Sequence, residues 1–279
     1  MTLSKNILIL GGDLRQNKIQ ELLVSKNYTC THLKTASECE NINQKIPLYD
    51  VVILPVPVSH DDIFLYSSDN QVKIELDTIV SSLCKGQLLI GGSISENLRS
   101  KLSKKSVEFF DFYENEELVL FNAYLTAQGA LRLILENTDE YLSGKKVLIT
   151  GYGRVAKASA NILRAVGLDV YICVRNQEQK ITAKCEGYKT LDFSELLPAM
   201  HIFDFILNTV PANVFDKTEL SAMKTKAKYF ELASVPYGID KENFEISKEK
   251  FIKGNALPGR FLPSSAGEII TKIIEPKLD

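Results

Sequence analysis

Residues Lys145 to Arg175 read KKVLITGYGRVAKASANILRAVGLDVYICVR. The apolar run Lys146 to Thr150 predicts a buried strand. Gly151-Tyr152-Gly153-Arg154-Val155-Ala156, a GxGxxA turn, follows it directly. An amphipathic helix then runs to about Val166, Gly167 stops it, and Val170 to Val174 form a second strand. In such a turn the first glycine allows the sharp exit from the strand, and the second lets backbone N–H groups approach a pyrophosphate. The small third residue lets the helix sit close on the sheet. Unpaired N–H groups at the helix start also favour an anion. A glycine turn can close a strand without any ligand, but the strand–turn–helix–strand context predicts a dinucleotide site. The backbone of Gly151, Tyr152, Gly153, Arg154 and Val155 would hold it.

The end of the second strand bears on which dinucleotide. An NAD-selective site carries Asp or Glu about 20 residues past the turn, on the ribose 2′-hydroxyl. Here that place holds Arg175, followed by Asn176. A carboxylate would repel a 2′-phosphate, whereas a guanidinium attracts one and can stack on adenine. The pattern favours NADP, with NAD possible. The plainer alternative is a solvated arginine at a strand end.

Outward from this unit, 279 residues are enough for one large or two medium domains, and 45% hydrophobic content supports a real core. Upstream, Ile7 to Leu10 reads as a buried strand entering Gly11-Gly12, and Arg15 to Lys26 as a helix. Tyr28 to Leu33 and Val51 to Leu54 read as strands, the latter stopped by Pro55 and Pro57. Ile74 to Leu83 and Ser95 to Leu102 read as helices, Gln87 to Ile90 and Val107 to Phe110 as strands. Glu114 to Leu142 reads as one or two long connecting helices. Beyond the glycine turn, strands are expected at Phe203 to Leu207, Tyr229 to Leu232 and Lys250 to Ile252. Gly254 to Pro263 reads as a loop and Ala266 to Ile274 as a closing helix. Alternating strands and helices predict two doubly wound parallel-sheet domains. The first, residues 1–122, is a flavodoxin-like substrate domain joined by the C-terminal helix 264–279. The second, residues 123–263, is a Rossmann dinucleotide-binding domain that includes the long interdomain helix.

Composition narrows the partners. A formal net charge of −2 gives no overall field toward nucleic acid or a membrane surface. No continuous apolar run reaches membrane-spanning length, and the N-terminal MTLSKNILIL enters a strand at once. The five cysteines form no CxxC pair and no metal spacing with histidine. These features predict a cytoplasmic protein with free thiols and no metal.

Ligands of open α/β sheets bind outside the carboxyl ends of the strands. That rule selects Gly11 to Gln16, Pro55 to His60, Asn208 to Pro211, Glu231 to Ser234 and Leu257 to Arg260. In GGDLRQ, the backbone at Gly12 and Asp13 with the Arg15 guanidinium would receive a carboxylate; alternatively Asp13 caps the helix and Arg15 is solvated. Asn208, Thr209 and Val210 would lie beside the ribose or nicotinamide. Ser234 would touch nicotinamide or substrate, and Arg260 would grip a second carboxylate. His60 is the candidate proton-transfer group. His32 and His201 read as structural or exposed. There is no His–carboxylate pair of the kind that marks 2-hydroxyacid dehydrogenases.

The segments ILILGGDLRQ, NAYLTAQGAL, GKKVLITGYGRVAKA, ELASVPYGID and ALPGRFLPSSAGEII together resemble the A subunit of dipicolinate synthase from endospore-forming bacteria. The resemblance implies an NADP-linked oxidation of dihydrodipicolinate, or its hydrated precursor, to dipicolinate during sporulation, on a branch of the lysine pathway. It implies the flavoprotein-like B subunit of dipicolinate synthase as partner and a small dicarboxylate substrate for Arg15 and Arg260; a homo-oligomer is expected as well. The family pattern expects NAxxTAEGA, whereas this chain has Gln128 in place of the glutamate. Gln128 is therefore a candidate catalytic position where the chain departs from its relatives. Two other readings stand beside this one: an NAD(P)-dependent dehydrogenase of another hydroxy or amino acid, and a dinucleotide-binding regulatory protein without turnover.

Overall fold

A computed structural model describes residues 5–69, 71–240, 242 and 250–278. In chain order the elements begin with β1 (Asn6–Leu10), α1 (Leu14–Ser25), β2 (Thr29–Leu33), α2 (Ile42–Lys45) and β3 (Val51–Ile53). There follow α3 (Leu76–Ser82), β4 (Leu88–Gly91), α4 (Glu96–Lys104), β5 (Glu108–Asp111) and the long α5 (Glu116–Glu136). Then come β6 (Lys146–Thr150), α6 (Arg154–Ala165), β7 (Asp169–Cys173), α7 (Gln177–Cys185) and β8 (Lys189–Leu191). The last are α8 (Leu196–Ala199), β9 (Phe205–Asn208), α9 (Lys217–Ser221), β10 (Lys228–Glu231), β11 (Phe251–Lys253), α10 (Leu257–Phe261) and α11 (Pro263–Ile274). Two compact units result: Met1–Asn122 with Pro258–Asp279, and Ala123–Leu257. Residues 258–263, expected in the second domain, group with the first.

The first unit carries a five-stranded sheet of order β2-β1-β3-β4-β5, parallel at every pairing. This is the flavodoxin-like order, whose winding reverses between β1 and β3. Both faces are covered, which is why the strands read as continuous apolar runs. Leu8, Leu10, Val52 and Leu89 face a core completed by Ile79, Leu98 and Leu102 of α3 and α4. Ile7, Ile9, Ile53 and Ile90 face the opposite core, with Ile19 and Leu23 of α1, Leu118 of α5, and Ile269, Ile270 and Ile274 of α11.

The second unit carries a six-stranded sheet of order β11-β10-β9-β6-β7-β8, again parallel throughout. Counted from β6, this is the 3-2-1-4-5-6 Rossmann order, whose winding reverses between β6 and β9. Phe203, Ile206, Phe215, Met223, Tyr229 and Phe251 fill much of one core.

The structure adds to the sequence reading in three places. Lys189–Leu191 is a half-exposed edge strand whose KTL sequence has no apolar run to announce it. The expected loop from Gly254 to Pro263 contains the short helix α10, which starts ahead of Pro258. By length and composition α5 could cross a membrane, contrary to the absence of an apolar run, and 44% of the relevant stretch is buried inside the protein. Its apolar character is dispersed among Ala123, Leu125, Ala127, Ala130 and Leu133, all buried, with Thr126 and Gln128 between them.

Two glycines in the C-terminal segment owe their place to close approach. A Cβ on Gly267 of α11 would lie 2.6 Å from Lys18 Cβ and 2.9 Å from the Arg15 carbonyl, so α11 meets α1 at backbone distance. A Cβ on Gly259 would strike the Asp13 carboxylate and come within 2.9 Å of Arg15 Nε. The stretch PGRFLPSSAG is thus built to pack against the start of α1. Gly267→Val should lower stability by about 1–3 kcal/mol, the usual cost of overpacking, read as a drop in melting temperature. An unchanged melt would show that α1 and α11 do not meet here.

Candidate functional site

At the reversal point of the second sheet, Gly151 follows β6 with φ +83°, a left-handed conformation that suits glycine. A Cβ there would also press within 3.0 Å of Thr209 Oγ1 and Val210 Cγ2. Gly153 differs. Its φ of −80° is open to any residue, and a Cβ on it would meet nothing within 4 Å. Nothing in the fold therefore requires glycine at 153. The residue is also the N-cap of α6, whose start has no side-chain cap and no acidic residue in its first turn. Open space over an uncapped twelve-residue helix is what an approaching diphosphate needs. Ala156, fully buried, seats the helix on the sheet.

The side chains named from sequence fall into different roles. Tyr152 is buried and donates from its hydroxyl to Glu186 Oε2 at 2.7 Å, so it faces α7 and only its backbone lies in the turn. Burial and the Glu186 bond push its phenol pKa well up. Arg154 and Gly153 are exposed, and Val155 is half-buried. Arg175 is exposed at the end of β7, its guanidinium 5.0 Å from the centre of the Phe193 ring. Asn176 is the N-cap of α7 and accepts from Gln179 N at 3.0 Å.

Asn208 is fully buried and does not present its amide to solvent. Thr150 Oγ1 donates to Asn208 Oδ1 at 2.5 Å, and Asn208 Nδ2 donates to Glu231 Oε1 at 2.7 Å and to the Val210 carbonyl at 2.9 Å. Val210 N donates back to Asn208 Oδ1 at 3.1 Å, and Thr209 Oγ1 donates to the Thr150 carbonyl at 2.6 Å. Thr150, Asn208 and Glu231 are the last residues of β6, β9 and β10. One chain of side chains thus ties together three neighbouring strand ends at the reversal point. The Asn208 side chain thus braces the strand ends, while Thr209 and Val210, expected with it beside the ribose or nicotinamide, are half-buried next to Gly151.

Glu231, 1% exposed, opens the segment Glu231 to Ser234 selected from the sequence but is not itself among the candidate residues. An acid at the carboxyl end of the strand KYFE is the signal the sequence offers. Burial raises its pKa above the usual carboxylate range, against the lowering effect of four hydrogen bonds. Ser234 and Gln128 are exposed, Ser234 in the loop after β10 and Gln128 on α5.

In the first unit the reversal point between β1 and β3 gathers GGDLRQ and the loop after β3. Asp13 caps α1 in a reciprocal box with Gln16, and Gln16 is fully buried. Arg15 is 5% exposed, not solvated. Its Nε and Nη2 donate to Asp13 at 2.8 and 2.7 Å, and Nη2 also donates to the Val56 carbonyl at 2.6 Å. As a carboxylate receptor it is already paired with a carboxylate of its own chain. The Tyr66 hydroxyl lies 3.4 Å from Asp13 Oδ2, and the exposed His60 ring stands edge-on to Tyr66 at 5.0 Å. Tyr66 carried no sequence signal, because its segment has no periodicity. His32 is buried with Nε2 3.1 Å from the Gly11 carbonyl, and burial lowers its pKa. His201 and Arg260 are exposed, the latter 4.5 Å from the Phe261 ring.

Both units have counterparts among known proteins. Residues 6–113 match the family of the N-terminal domain of the dipicolinate synthase A subunit, and residues 122–256 match the S-adenosyl-L-homocysteine hydrolase NAD binding domain family. The dipicolinate synthase A subunit of Bacillus subtilis (strain 168) is 26% identical over 98% of this chain and 95% of its own length. The resemblance to this protein spans both units. The structure of the dipicolinate synthase A subunit from Bacillus halodurans superposes with a TM-score of 0.83 at 21% identity, over 99% of this chain and 98% of that one. D-lactate dehydrogenase from Escherichia coli shares the fold with a TM-score of 0.67 at 10% identity, over 97% and 95% of the two chains. The second unit therefore has a Rossmann fold of the kind found in dehydrogenases, and its sequence matches a family of NAD binding domains.

The bracing chain makes stability at this site depend on pH. Asn208→Asp would place a second carboxylate against Glu231, and like charges this close hold one proton between them. The folded pKa then lies above the unfolded one, so stability is lost as pH rises through it. The variant should melt lower than the parent, and by a wider margin at about pH 8 than at about pH 5. Parallel melting curves across this range would contradict the geometry.

Proposed function

We propose that this chain is the dinucleotide-dependent oxidoreductase component of a dipicolinate synthase. It oxidises dihydrodipicolinate, or its hydrated precursor, to dipicolinate with NADP, alongside a second polypeptide. One observation carries the cofactor half of this reading: open space over Gly153 at the uncapped start of α6. The whole-length resemblance to the dipicolinate synthase A subunit supports the substrate half.

The nicotinamide, when bound, accepts the hydride that a dihydropyridine ring gives up. Losing that hydride and one proton makes the ring aromatic, so the protein has to position the substrate and receive a proton more than to activate a nucleophile. The backbone of residues 151–155 would hold the diphosphate, and Arg175 with Asn176 the 2′-phosphate. The Phe193 ring gives the Arg175 guanidinium a face to rest on, which favours a stacked orientation. Gly12, Asp13, Arg15 and Arg260 are the proposed substrate groups. Because Arg15 is paired with Asp13, its role is to offer a fixed N–H edge, and the exposed Arg260 supplies a second positive charge. His60 and Ser234 are the proposed proton-handling groups, both exposed, in the loops that follow β3 and β10. The reading also places the protein in the cytoplasm as a homo-oligomer.

A second reading, dinucleotide binding without turnover, draws on Gln128, an amide where the family pattern expects glutamate. Mixing the chain and its partner polypeptide with the precursor and NADP separates the two. Formation of an ultraviolet-absorbing pyridine product with matching NADPH supports the first, and binding with no product supports the second. Gly153→Ala should leave the melting temperature unchanged, because its Cβ enters open space, yet weaken NADP binding by at least about tenfold. A variant that binds as the parent does would place the diphosphate elsewhere. Arg175→Glu should reverse the preference between NADP and NAD in a fluorescence titration. A parent protein that prefers NAD by about tenfold or more would refute the NADP assignment.

A further inference from the structure

The Glu231 carboxylate is enclosed by four donors, two on each oxygen. Oε1 accepts from Asn208 Nδ2 at 2.7 Å and Ala233 N at 3.0 Å, and Oε2 accepts from the Tyr229 hydroxyl at 2.9 Å and Gly238 N at 2.8 Å. Two of these donors are backbone amides at either end of the segment 233–238. One buried side chain therefore closes that segment into a loop. Gly238 is seated so tightly that a Cβ on it would strike the Asn208 amide and come within 2.6 Å of the Tyr229 hydroxyl. Its carbonyl accepts from Val214 N at 2.9 Å and Phe215 N at 3.1 Å. Through Gly238, the same carboxylate holds the segment that follows β9 as well as the one that follows β10.

These two segments leave the carboxyl ends of β9 and β10, beyond the β6 turn that carries Gly151 and Gly153. In a sheet of this order the adenine half of a dinucleotide lies over the β6–β7 side, and the nicotinamide half over the β9–β10 side. We propose that Glu231 is a positioning residue for the nicotinamide half of the cofactor. Its carboxylate fixes the loops after β9 and β10 as the wall against which the ring and the exposed Ser234 are held. This rests on the dinucleotide-binding reading above. It assigns to Glu231 no contact with substrate or cofactor.

The chemistry of a substitution follows from the donor count. Glutamine has one acceptor oxygen and turns an NH2 toward the other two donors. Glu231→Gln must therefore leave Ala233 N–H or Gly238 N–H without its acceptor, freeing one end of the loop. Gly238→Ala keeps the carboxylate and lifts the loop off its seat by a different route.

The test compares binding of NADP with binding of 2′-phospho-ADP-ribose, which lacks nicotinamide, in the parent and in both variants. It is run well below each melting temperature, with amide exchange followed at Ala233 and Gly238. The expected result is faster exchange at these amides and NADP binding weakened by at least about fivefold (a tenfold loss being 1.4 kcal/mol), with 2′-phospho-ADP-ribose binding unchanged. A merely structural Glu231 would lower both affinities together or neither, and either outcome overturns the proposal. If Glu231→Gln does not fold, Gly238→Ala alone must show the split, and its absence overturns the proposal equally. A parent protein that binds neither ligand refutes the dinucleotide reading itself, a result distinct from failure of the split.

Discussion

Every strand pairing described in the two sheets is parallel. A parallel pair cannot be closed by a tight hairpin, so each connection must cross over a face of the sheet and return in a right-handed sense. Where the winding reverses, neighbouring connections leave toward opposite faces and uncover the carboxyl ends between them. In the first unit this happens between β1 and β3, and in the second between β6 and β9. GGDLRQ and GYGRVA sit at these two points, so the chemistry-bearing motifs are where the winding leaves room for a ligand.

The uncovered ends expose polar groups that have to be satisfied, and the two units meet this need differently. In the second, Thr150, Asn208 and Glu231 form one buried chain across three strand ends. An unpaired member would lose a desolvated hydrogen bond, so the chain is kept complete by two loop amides and a tyrosine. In the first, Asp13 serves at once as helix cap and ion-pair partner, and Arg15 reaches the Val56 carbonyl. Gly259 lets the C-terminal segment lie directly on that ion pair. Segments far apart in sequence, GGDLRQ and Pro258-Gly259-Arg260, are in this way parts of one packing arrangement.

The fold was legible because its signals are local. Buried parallel strands read as short apolar runs, and Gly151 needs a left-handed turn that can be recognised without any partner. The exceptions have physical causes. The edge strand β8 is half-exposed and carries no apolar run, and α10 lay hidden because proline and glycine usually mark loops. At the candidate site, residue type was a weaker guide. Asn208 directs its amide at the protein, and Arg15 has its Nε and Nη2 engaged by Asp13 and the Val56 carbonyl, neither of which residue type alone announces. Tyr66 reaches Asp13 only through a loop return, and nothing in its neighbours' spacing announces that contact.

From sequence alone came two parallel α/β units, the position of the dinucleotide turn and the resemblance that names a reaction, since each depends on residues adjacent in the chain. What only the tertiary structure decided is which polar side chains face outward. Glu231 and Asn208 brace strand ends, Arg15 is closed in an ion pair, and Gly153 stands under open space. The physical reason is that hydrogen bonding is a competition. A side chain with ligand-binding chemistry stays available only if no nearer donor or acceptor has claimed it, and those competitors are set by loops and strands remote in sequence.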